Sequence, residues 1–374
     1  MLAKTLAWIV VVVVVAAGAA GAGYLIGHYA PASSPSAVAN STLSILAAGT
    51  LGGHTPPAGS PVGLFPSIAS LLVNETPGIT APVAAQDYEG SLDVVNAFTG
   101  SAAKADVAAL ADFRLIPQDL EPKYANFEVA FGMTPEVLVY NSSDAGYAGL
   151  NESNWGWKLV NAIAGGAAPF GVWNASTDPN GYNEIFSMEL QGQIYNGSNL
   201  SVFSHFYSNS PWQLAKPIVN PALILPEHES AAASLLAKGT ISAVITYRSY
   251  AVANHLSYVS FDPIVGLNAN NSTALADYHA LSTTIQTSTG GTTSVHAAPV
   301  IFAITVPLDA PNAALGLAFL HLLLSPQGSA ILSEGGAFTP IFPGWLQQST
   351  PSPVPPVLAP DVAPMPGWAS GLLS

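Results

Sequence analysis

The sequence contains no cysteine among its 374 residues. It therefore has no disulfide, no thiolate metal site, no cysteine nucleophile and no lipid-modified cysteine. Because cysteine-free proteins occur in reducing and oxidising surroundings alike, this absence leaves the redox compartment open.

Charged side chains are also scarce, at 8% of the residues against about 25% in typical soluble domains. Only eight are Lys or Arg, and the net charge is −14 at neutral pH. The chain therefore lacks the basic patch that a nucleic-acid partner requires. A protein with few carboxylates loses little stability when they are protonated, so we expect this chain to tolerate an acidic medium.

The sequence has none of the common catalytic signatures. It contains no Gly-x-Ser-x-Gly, no Gly-rich loop ending in Gly-Lys-Ser/Thr and no His-Glu-x-x-His. His228 lies between Glu227 and Glu229, but alternating side chains in a loop do not converge on a metal. The sequence therefore matches none of the enzyme classes that these signatures mark.

One long apolar run stands at the N-terminus. Lys4 precedes an apolar stretch that continues to Ile26, long enough to cross a bilayer. Residues 1–27 fit a retained membrane anchor, which the length favours, and also a signal peptide cleaved at Ala20-Gly21-Ala22. Either interpretation predicts an extracytoplasmic protein, and residues 28–42, rich in Pro, Ser and Ala, predict a linker. Nine Asn-X-Ser/Thr sequons fit an exported, glycosylated chain.

Short apolar strands alternate with Gly/Ser turns and helices along most of the chain. This order predicts an α/β fold with parallel sheets, whose ligands bind beyond the carboxyl ends of the strands. Gly49-Thr50 and Gly90-Ser91 fall at such ends. We predict strands at residues 43–48, 80–86, 105–110, 137–140, 170–173, 241–246 and 300–307, and the clearest helices at 65–73, 231–238, 313–324 and 327–332.

The stretch Asp178-Pro179-Asn180-Gly181 has the composition of a turn, and helical periodicity follows from Tyr182. The free N–H groups at the start of a helix favour an anion. The simpler interpretation is that Asp178 only caps the helix. On these residues alone both interpretations remain open.

The order of these pieces resembles archaeal tungstate/molybdate-binding proteins, the extracytoplasmic solute-binding subunits of ABC importers. The resemblance spans about residues 43–346. The pieces that carry it are Ala48-Gly49-Thr50-Leu51, Gly90-Ser91, Lys104-Ala105-Asp106-Val107 with Ala111-Asp112-Phe113-Arg114-Leu115-Ile116-Pro117, Asp178-Pro179-Asn180-Gly181-Tyr182, and Tyr247-Arg248-Ser249-Tyr250-Ala251-Val252.

The resemblance implies a two-lobe fold of the periplasmic-binding-protein type II class, joined by hinge strands and closing on its ligand. Lobe 1 would comprise residues 43–137 and 300–346, and lobe 2 residues 138–299. Residues 347–374 are Pro-rich, and we expect them to form a disordered tail. A monomer of this kind would deliver its oxyanion to a membrane permease and would need no cofactor.

The resemblance also assigns an oxyanion site to Gly49, Thr50, Ser91, Asp178, Pro179, Asn180 and Thr246. Asp178 would be able to contact the molybdenum or tungsten itself. The family has a second carboxylate at the position of Thr246, so this chain offers a hydroxyl where a metal ligand is expected. Tungstate and molybdate remain the first choice, and sulfate or another tetrahedral oxyanion is the competitor. Alternation along a strand would put Arg248 on the same side as Thr246, where it could contact the ligand, although we expect it to pair with a carboxylate.

Two other classes of function fit parts of the sequence. An extracellular hydrolase could use Asp178, Glu184 and Glu189 as acid and base, although a helix start and an exposed helix face account for them better. A cell-surface structural protein would fit the sequons, the low charge and the Pro-rich end, but it would not require the α/β order.

Overall fold

The computed structural model describes residues 42–52, 63–75, 86–100, 103–196, 202–207, 222–224, 230–286, 291–348 and 354–373. The expected signal or anchor segment and all but the last residue of the linker lie outside these ranges. Among the described residues, no single helix is long and apolar enough to cross a membrane. One helix pair, bent by 67° between Ala313–Leu323 and Pro326–Gly336, passes that test on length and composition alone.

The strands are β1 Ile45–Ala48, β2 Gln86–Glu89, β3 Val107–Leu110, β4 Glu128–Met133, β5 Glu136–Tyr140, β6 Phe170–Val172, β7 Ala222–Ile224, β8 Ala243–Tyr247, β9 Tyr258–Ser260, β10 Ser282–Gln286, β11 Thr292–His296, β12 Ile301–Thr305, β13 Thr339–Gln347 and β14 Val362–Pro364. The helices are α1 Leu64–Glu75, α2 Ser91–Thr99, α3 Trp155–Ala164, α4 Pro179–Asn196, α5 Phe203–Phe206, α6 Ser230–Ala237, α7 Arg248–Ala253, α8 Ser272–His279, α9 Ala313–Leu323, α10 Pro326–Ser333 and α11 Gly367–Ser370.

The strands form two mixed sheets and a hairpin. The first sheet has the order β14-β13-β4-β12-β3-β1-β2, and the second has the order β7-β6-β8-β5-β9. Strands β1, β2 and β3 run parallel, as do β6, β7 and β8, so each sheet has a parallel block with a common carboxyl end. The chain passes from the first sheet at Met133 to the second at Glu136 and returns at Ile301.

The apolar runs of the sequence become the buried strands of these sheets. Every residue of β3 and β12 is buried, as expected for strands covered on both faces. Helices α1 and α9 cover one face of the first sheet, where the rings of Phe65 and Phe319 meet edge to face at 5.1 Å. The mixed α/β architecture is therefore confirmed. The strand predicted at residues 80–86 is described only from Gln86, where β2 begins.

The C-terminal segment corrects the expectation of a disordered tail. Strand β14 pairs in parallel with β13, and Leu358 is fully buried. Asp361 is 2.6 Å from His321 of α9, and Trp345 meets Trp368 edge to face at 5.4 Å. The prolines do not prevent this packing, because β14 lies at a sheet edge and a proline there interrupts no interior ladder of hydrogen bonds.

We predict that Leu358→Ala lowers the free energy of unfolding by about 2–5 kcal/mol, since it removes a fully buried side chain. Urea denaturation would measure the loss. Leu308, which is 54% exposed, supplies the control, and Leu308→Ala should change stability by less than about 0.5 kcal/mol. Equal stability of the two variants would show that the segment does not pack in solution.

Glu128 and Glu184 are buried, and no ion pair in the described part of the chain reaches either of them. Burial, with added repulsion from Glu121 and Asp112, raises the pKa of Glu128 well above its ordinary value. Within the described residues neither of its carboxylate oxygens has a hydrogen-bond partner. Burial also raises the pKa of Glu184, although the Tyr207 hydroxyl donates to it. Glu184 was expected on an exposed helix face, and this expectation is wrong because α4 is covered on nearly all sides.

These shifts predict a protein that is more stable in acid than at neutral pH. A carboxyl group whose pKa is raised in the folded state contributes stability that is fully present below its unfolded pKa of about 4.3. That contribution is lost as the pH rises through the folded pKa. The free energy of unfolding should therefore fall as the pH rises above about 4.3, by up to about 1.4 kcal/mol per pH unit and group.

Glu128→Gln should make the protein more stable at neutral pH and flatten this dependence, since the amide is neutral at every pH. Glu152→Gln, at an exposed position, is the matched control and should leave the slope unchanged. Denaturant titrations at several pH values give both slopes. A slope that Glu128→Gln does not alter would contradict the assignment.

Candidate functional site

Asp178 caps the first turn of α4. Its Oδ1 accepts the Asn180 N–H at 2.9 Å, in the geometry of an N-cap. The preceding turn needs Gly181, because a Cβ there would lie 2.4 Å from the backbone nitrogen of Ala175. Burial, reinforced by the nearby charge of Asp93, raises the pKa of Asp178 to about 7. Asp178 therefore caps the helix.

The start of α2 packs directly on the loop before Asp178. Leu92 N donates to Thr177 O at 3.1 Å, and a Cβ at Gly90 would lie 2.3 Å from that same oxygen. Ser91, buried at the first position of the helix, accepts the Ala111 N–H through its Oγ at 2.9 Å. Its hydroxyl hydrogen can still donate. Ser91 follows a strand of the first sheet and Asp178 follows a strand of the second sheet. The backbone contact between Leu92 and Thr177 brings these two segments together.

Gly49 and Thr50 form a single helical turn immediately after β1. Thr50 is buried, and its Oγ1 lies 2.9 Å from Ser249 Oγ in α7. Ser249 N in turn donates to Thr134 Oγ1 at 3.1 Å, in the segment that joins the two sheets. A cavity of about 490 Å³ opens beside Thr50 and Ser249. This hydroxyl pair is a second contact between strand ends of the two sheets.

Thr246 lies fully buried in β8 and contacts Asn180. The Asn180 side-chain amide is 3.1 Å from Thr246 Oγ1, so two of the predicted residues are direct neighbours. Glu136, at the start of β5, has its carboxylate against the other side of the same Asn180 amide. The sequence interpretation missed Glu136. A signal was available, since it is a single acid at the head of the otherwise apolar Val137-Leu138-Val139.

The chain has two arginines, Arg114 and Arg248, and their surroundings differ. Arg114 forms a buried ion pair with Asp112 at 2.6 Å, and the Tyr182 hydroxyl donates to the same carboxylate. Burial alone would raise the pKa of Asp112, but Arg114 and Tyr182 hold it below its ordinary value. Arg248 begins α7 instead of continuing β8, so strand alternation does not place it beside Thr246. Within the described residues it forms no ion pair, which corrects the expected pairing.

The predicted site residues follow a strand of a parallel block or lie near its end, and three contacts connect them. Ser91 meets the Asp178 loop, Asn180 meets Thr246, and Thr50 meets Ser249. Across the described ranges no group of three His, Asp or Glu side chains could hold a metal ion. Chemically, the site offers hydroxyl and amide donors with buried carboxyl groups behind them.

Comparison with known proteins places the chain in a family. The model of the bacterial extracellular solute-binding protein family matches residues 59–337. A molybdate/tungstate-binding protein WtpA of Thermococcus kodakarensis is 28% identical over 260 residues, covering 66% of this chain and 70% of the relative. That of Pyrococcus abyssi is 29% identical over 258 residues, with 66% and 72% coverage.

Solved structures show the same fold at low identity. The Azotobacter vinelandii periplasmic molybdate-binding protein has a TM-score of 0.51 and 13% identity, covering 79% of this chain and 98% of that one. An ABC-transporter substrate-binding protein of Agrobacterium tumefaciens also has a TM-score of 0.51 and 13% identity, covering 88% of each chain. With the family model matching residues 59–337, this chain belongs to the bacterial extracellular solute-binding proteins.

Proposed function

We propose that this protein captures tungstate or molybdate outside the cytoplasm and delivers it to an ABC importer. One observation carries the proposal above the others: the start of α2, which contains Ser91, is bonded through Leu92 N to Thr177 O, just before Asp178, where parallel strands of two different sheets end. Ligands of α/β folds bind at such ends. The relatives from Thermococcus and Pyrococcus, both molybdate/tungstate-binding proteins by name, support the choice of anion.

The two sheets support a clamp of two lobes, with residues 43–137 and 300–346 in one and 138–299 in the other. The hinge would pass through Val137–Tyr140 and Val300–Val306, near where the chain crosses between the sheets. In the proposal residues 1–27 hold a monomer at the membrane or direct its export, since the family is extracellular. Delivery to a permease is the step that follows capture.

Neutral hydrogen-bond donors, and not charged side chains, would bind the anion. Arg114 is already neutralised by Asp112, so the donors are the hydroxyls of Ser91 and Thr50 and the backbone N–H groups around Gly49. Such donors suit a tetrahedral oxyanion that keeps its four oxygens. Because Thr246 replaces the second carboxylate, sulfate is the competing ligand.

We predict that tungstate and molybdate raise the melting temperature more than sulfate or phosphate does. At about 100 times its dissociation constant, a ligand adds about 2.7 kcal/mol to the free energy of unfolding. Thermal denaturation measures the shift, and calorimetry measures the affinity. Ser91→Ala should weaken binding, whereas Ser70→Ala, which removes a serine bonded only within α1, should not.

No stabilisation by any oxyanion would reject the proposal in favour of a structural protein or a hydrolase. A larger shift with sulfate than with tungstate would retain the binding function but exchange the ligand.

We further predict that the affinity for tungstate rises as the pH falls through about 7, the pKa of Asp178. Protonation removes a negative charge beside the anion, so the gain approaches tenfold per pH unit for one linked proton. Asp178→Asn should remove this part of the pH dependence and preserve the helix cap, because Asn caps as well as Asp. An affinity that falls on acidification would instead indicate direct ligation of the metal by ionised Asp178.

A further inference from the structure

The buried ion pair of Asp112 and Arg114 is bonded to parts of the chain that belong to both sheets. The pair itself follows β3 of the first sheet. The Tyr182 hydroxyl, near the start of α4, donates to Asp112 Oδ2 at 2.7 Å. Arg114 Nη1 donates to His296 O, at the end of β11, at 2.8 Å. Helix α4 follows β6 of the second sheet and packs against β10, so both of these bonds join the two proposed lobes.

The bonds within the pair lie in one short loop. Arg114 N and Nε donate to Asp112 Oδ1 at 3.0 and 2.9 Å, and Arg114 Nη2 donates to Asp112 Oδ2 at 2.6 Å. Because these bonds span only three residues of the chain, separating the two sheets would leave them intact. The guanidinium is a rigid fork, so its remaining nitrogen, Nη1, has a fixed direction, towards His296 O. The first lobe therefore presents a donor and an acceptor to the second lobe in fixed positions.

Open space lies beside these two bonds. A cavity of about 350 Å³ separates the loop of the ion pair and helix α2 from the β10–β11 hairpin. Leu92 and Leu115 line it from the first sheet's side, and Ile285 and Ser294 line it from the hairpin. Side chains across a cavity make no van der Waals contact with each other. The two hydrogen bonds therefore carry much of the attraction between the sheets at this place.

The strength of these bonds suits a contact that opens and closes. A hydrogen bond to a charged group is stronger than one between neutral groups, so each bond favours the closed arrangement. When the sheets separate, water takes the place of Tyr182 at Asp112 and of His296 at Arg114, and most of the gross bond energy is regained. The net preference is therefore modest, as a receptor that must also release its ligand requires.

We propose that Asp112 and Arg114 are positioning residues that hold the two lobes closed, through Tyr182 and the β10–β11 hairpin, and thereby set how fast the bound oxyanion is released. The inference rests on the proposed function and deepens it, because it assigns retention of the anion to groups that do not touch it. Every nitrogen of the Arg114 guanidinium already donates to a protein oxygen, so its role is to join the lobes.

The first test needs no ligand. Because the chain has no cysteine, Trp157→Cys and Leu308→Cys, at one exposed position in each proposed lobe, allow specific spin labelling. Double electron–electron resonance then gives the distances between the lobes. We expect a closed population in this labelled parent and a loss of that population, to a second distance, when Tyr182→Phe removes the hydroxyl. Tyr278→Phe is the matched control, since this buried hydroxyl donates to Ile264 O within one lobe, and it should leave the distances unchanged. Equal distance distributions with and without Tyr182→Phe would overturn the inference.

The second test measures the dissociation rate of tungstate, or of sulfate if that binds instead, by stopped-flow fluorescence. Tyr182→Phe should raise this rate by about tenfold, the effect of one hydrogen bond to a charged group, and leave the association rate nearly unchanged. Arg114→Lys should act in the same direction. Its ammonium keeps the charge but lacks the fork, so it cannot serve Asp112 and His296 O together.

Lys104→Gln is the control for loss of an ion pair, because Lys104 pairs with Asp309 at an exposed place within the first proposed lobe. It should leave both rates unchanged. A lower melting temperature of Tyr182→Phe with an unaltered dissociation rate would show that the network only supports the fold, and would overturn the inference. Failure of the parent protein to bind any oxyanion rejects the proposed function instead, and the distances between the spin labels then still judge the role of the Asp112–Arg114 pair separately.

Discussion

The close approach of Gly90 to Thr177 holds together the parts of the site. No side chain fits between them, since a Cβ at Gly90 would lie 2.3 Å from the Thr177 oxygen. The resulting hydrogen bond from Leu92 N joins the first turn of α2 to the loop that starts α4. It aligns two helix starts, brings Asp93 towards Asp178 and leaves Ser91 at the junction. Much of the electrostatics of the site follows from this one backbone contact.

Because charged side chains are scarce, the few buried acids determine how stability depends on pH. Arg114 neutralises Asp112, but Glu128, Glu184 and Asp178 have raised pKa values because burial removes water without supplying a cation. Burial favours the protonated, neutral form of these carboxyl groups. The same chemistry that makes the fold suited to acid also places Asp178 at the proposed anion site, so the expected stability and the expected binding depend on pH in the same direction.

The sequence predicted the elements that depend on local pattern. The run at Val137–Tyr140 became β5, the run at Ile301–Thr305 became β12, and Asp178 caps its helix as its residue type suggests. Burial of Glu184 was not predictable in this way, because α4 is covered on nearly all sides and periodicity identifies no exposed face. The C-terminal segment was also missed, since Leu358 and Trp368 pack through partners far away in the chain. Glu136 reaches Asn180 only through the pairing of β5 with β8.

The buried pairing of Arg114 with Asp112 has a consequence for the surroundings in which the protein works. A receptor that attracts its ligand with net positive charge loses that attraction as salt screens it, within a Debye length of about 8–10 Å. Hydroxyl and amide donors act over hydrogen-bond distances of about 3 Å, well inside that length. The affinity of such a receptor would depend little on salt concentration. Its ligand would reach it by diffusion without long-range electrostatic steering.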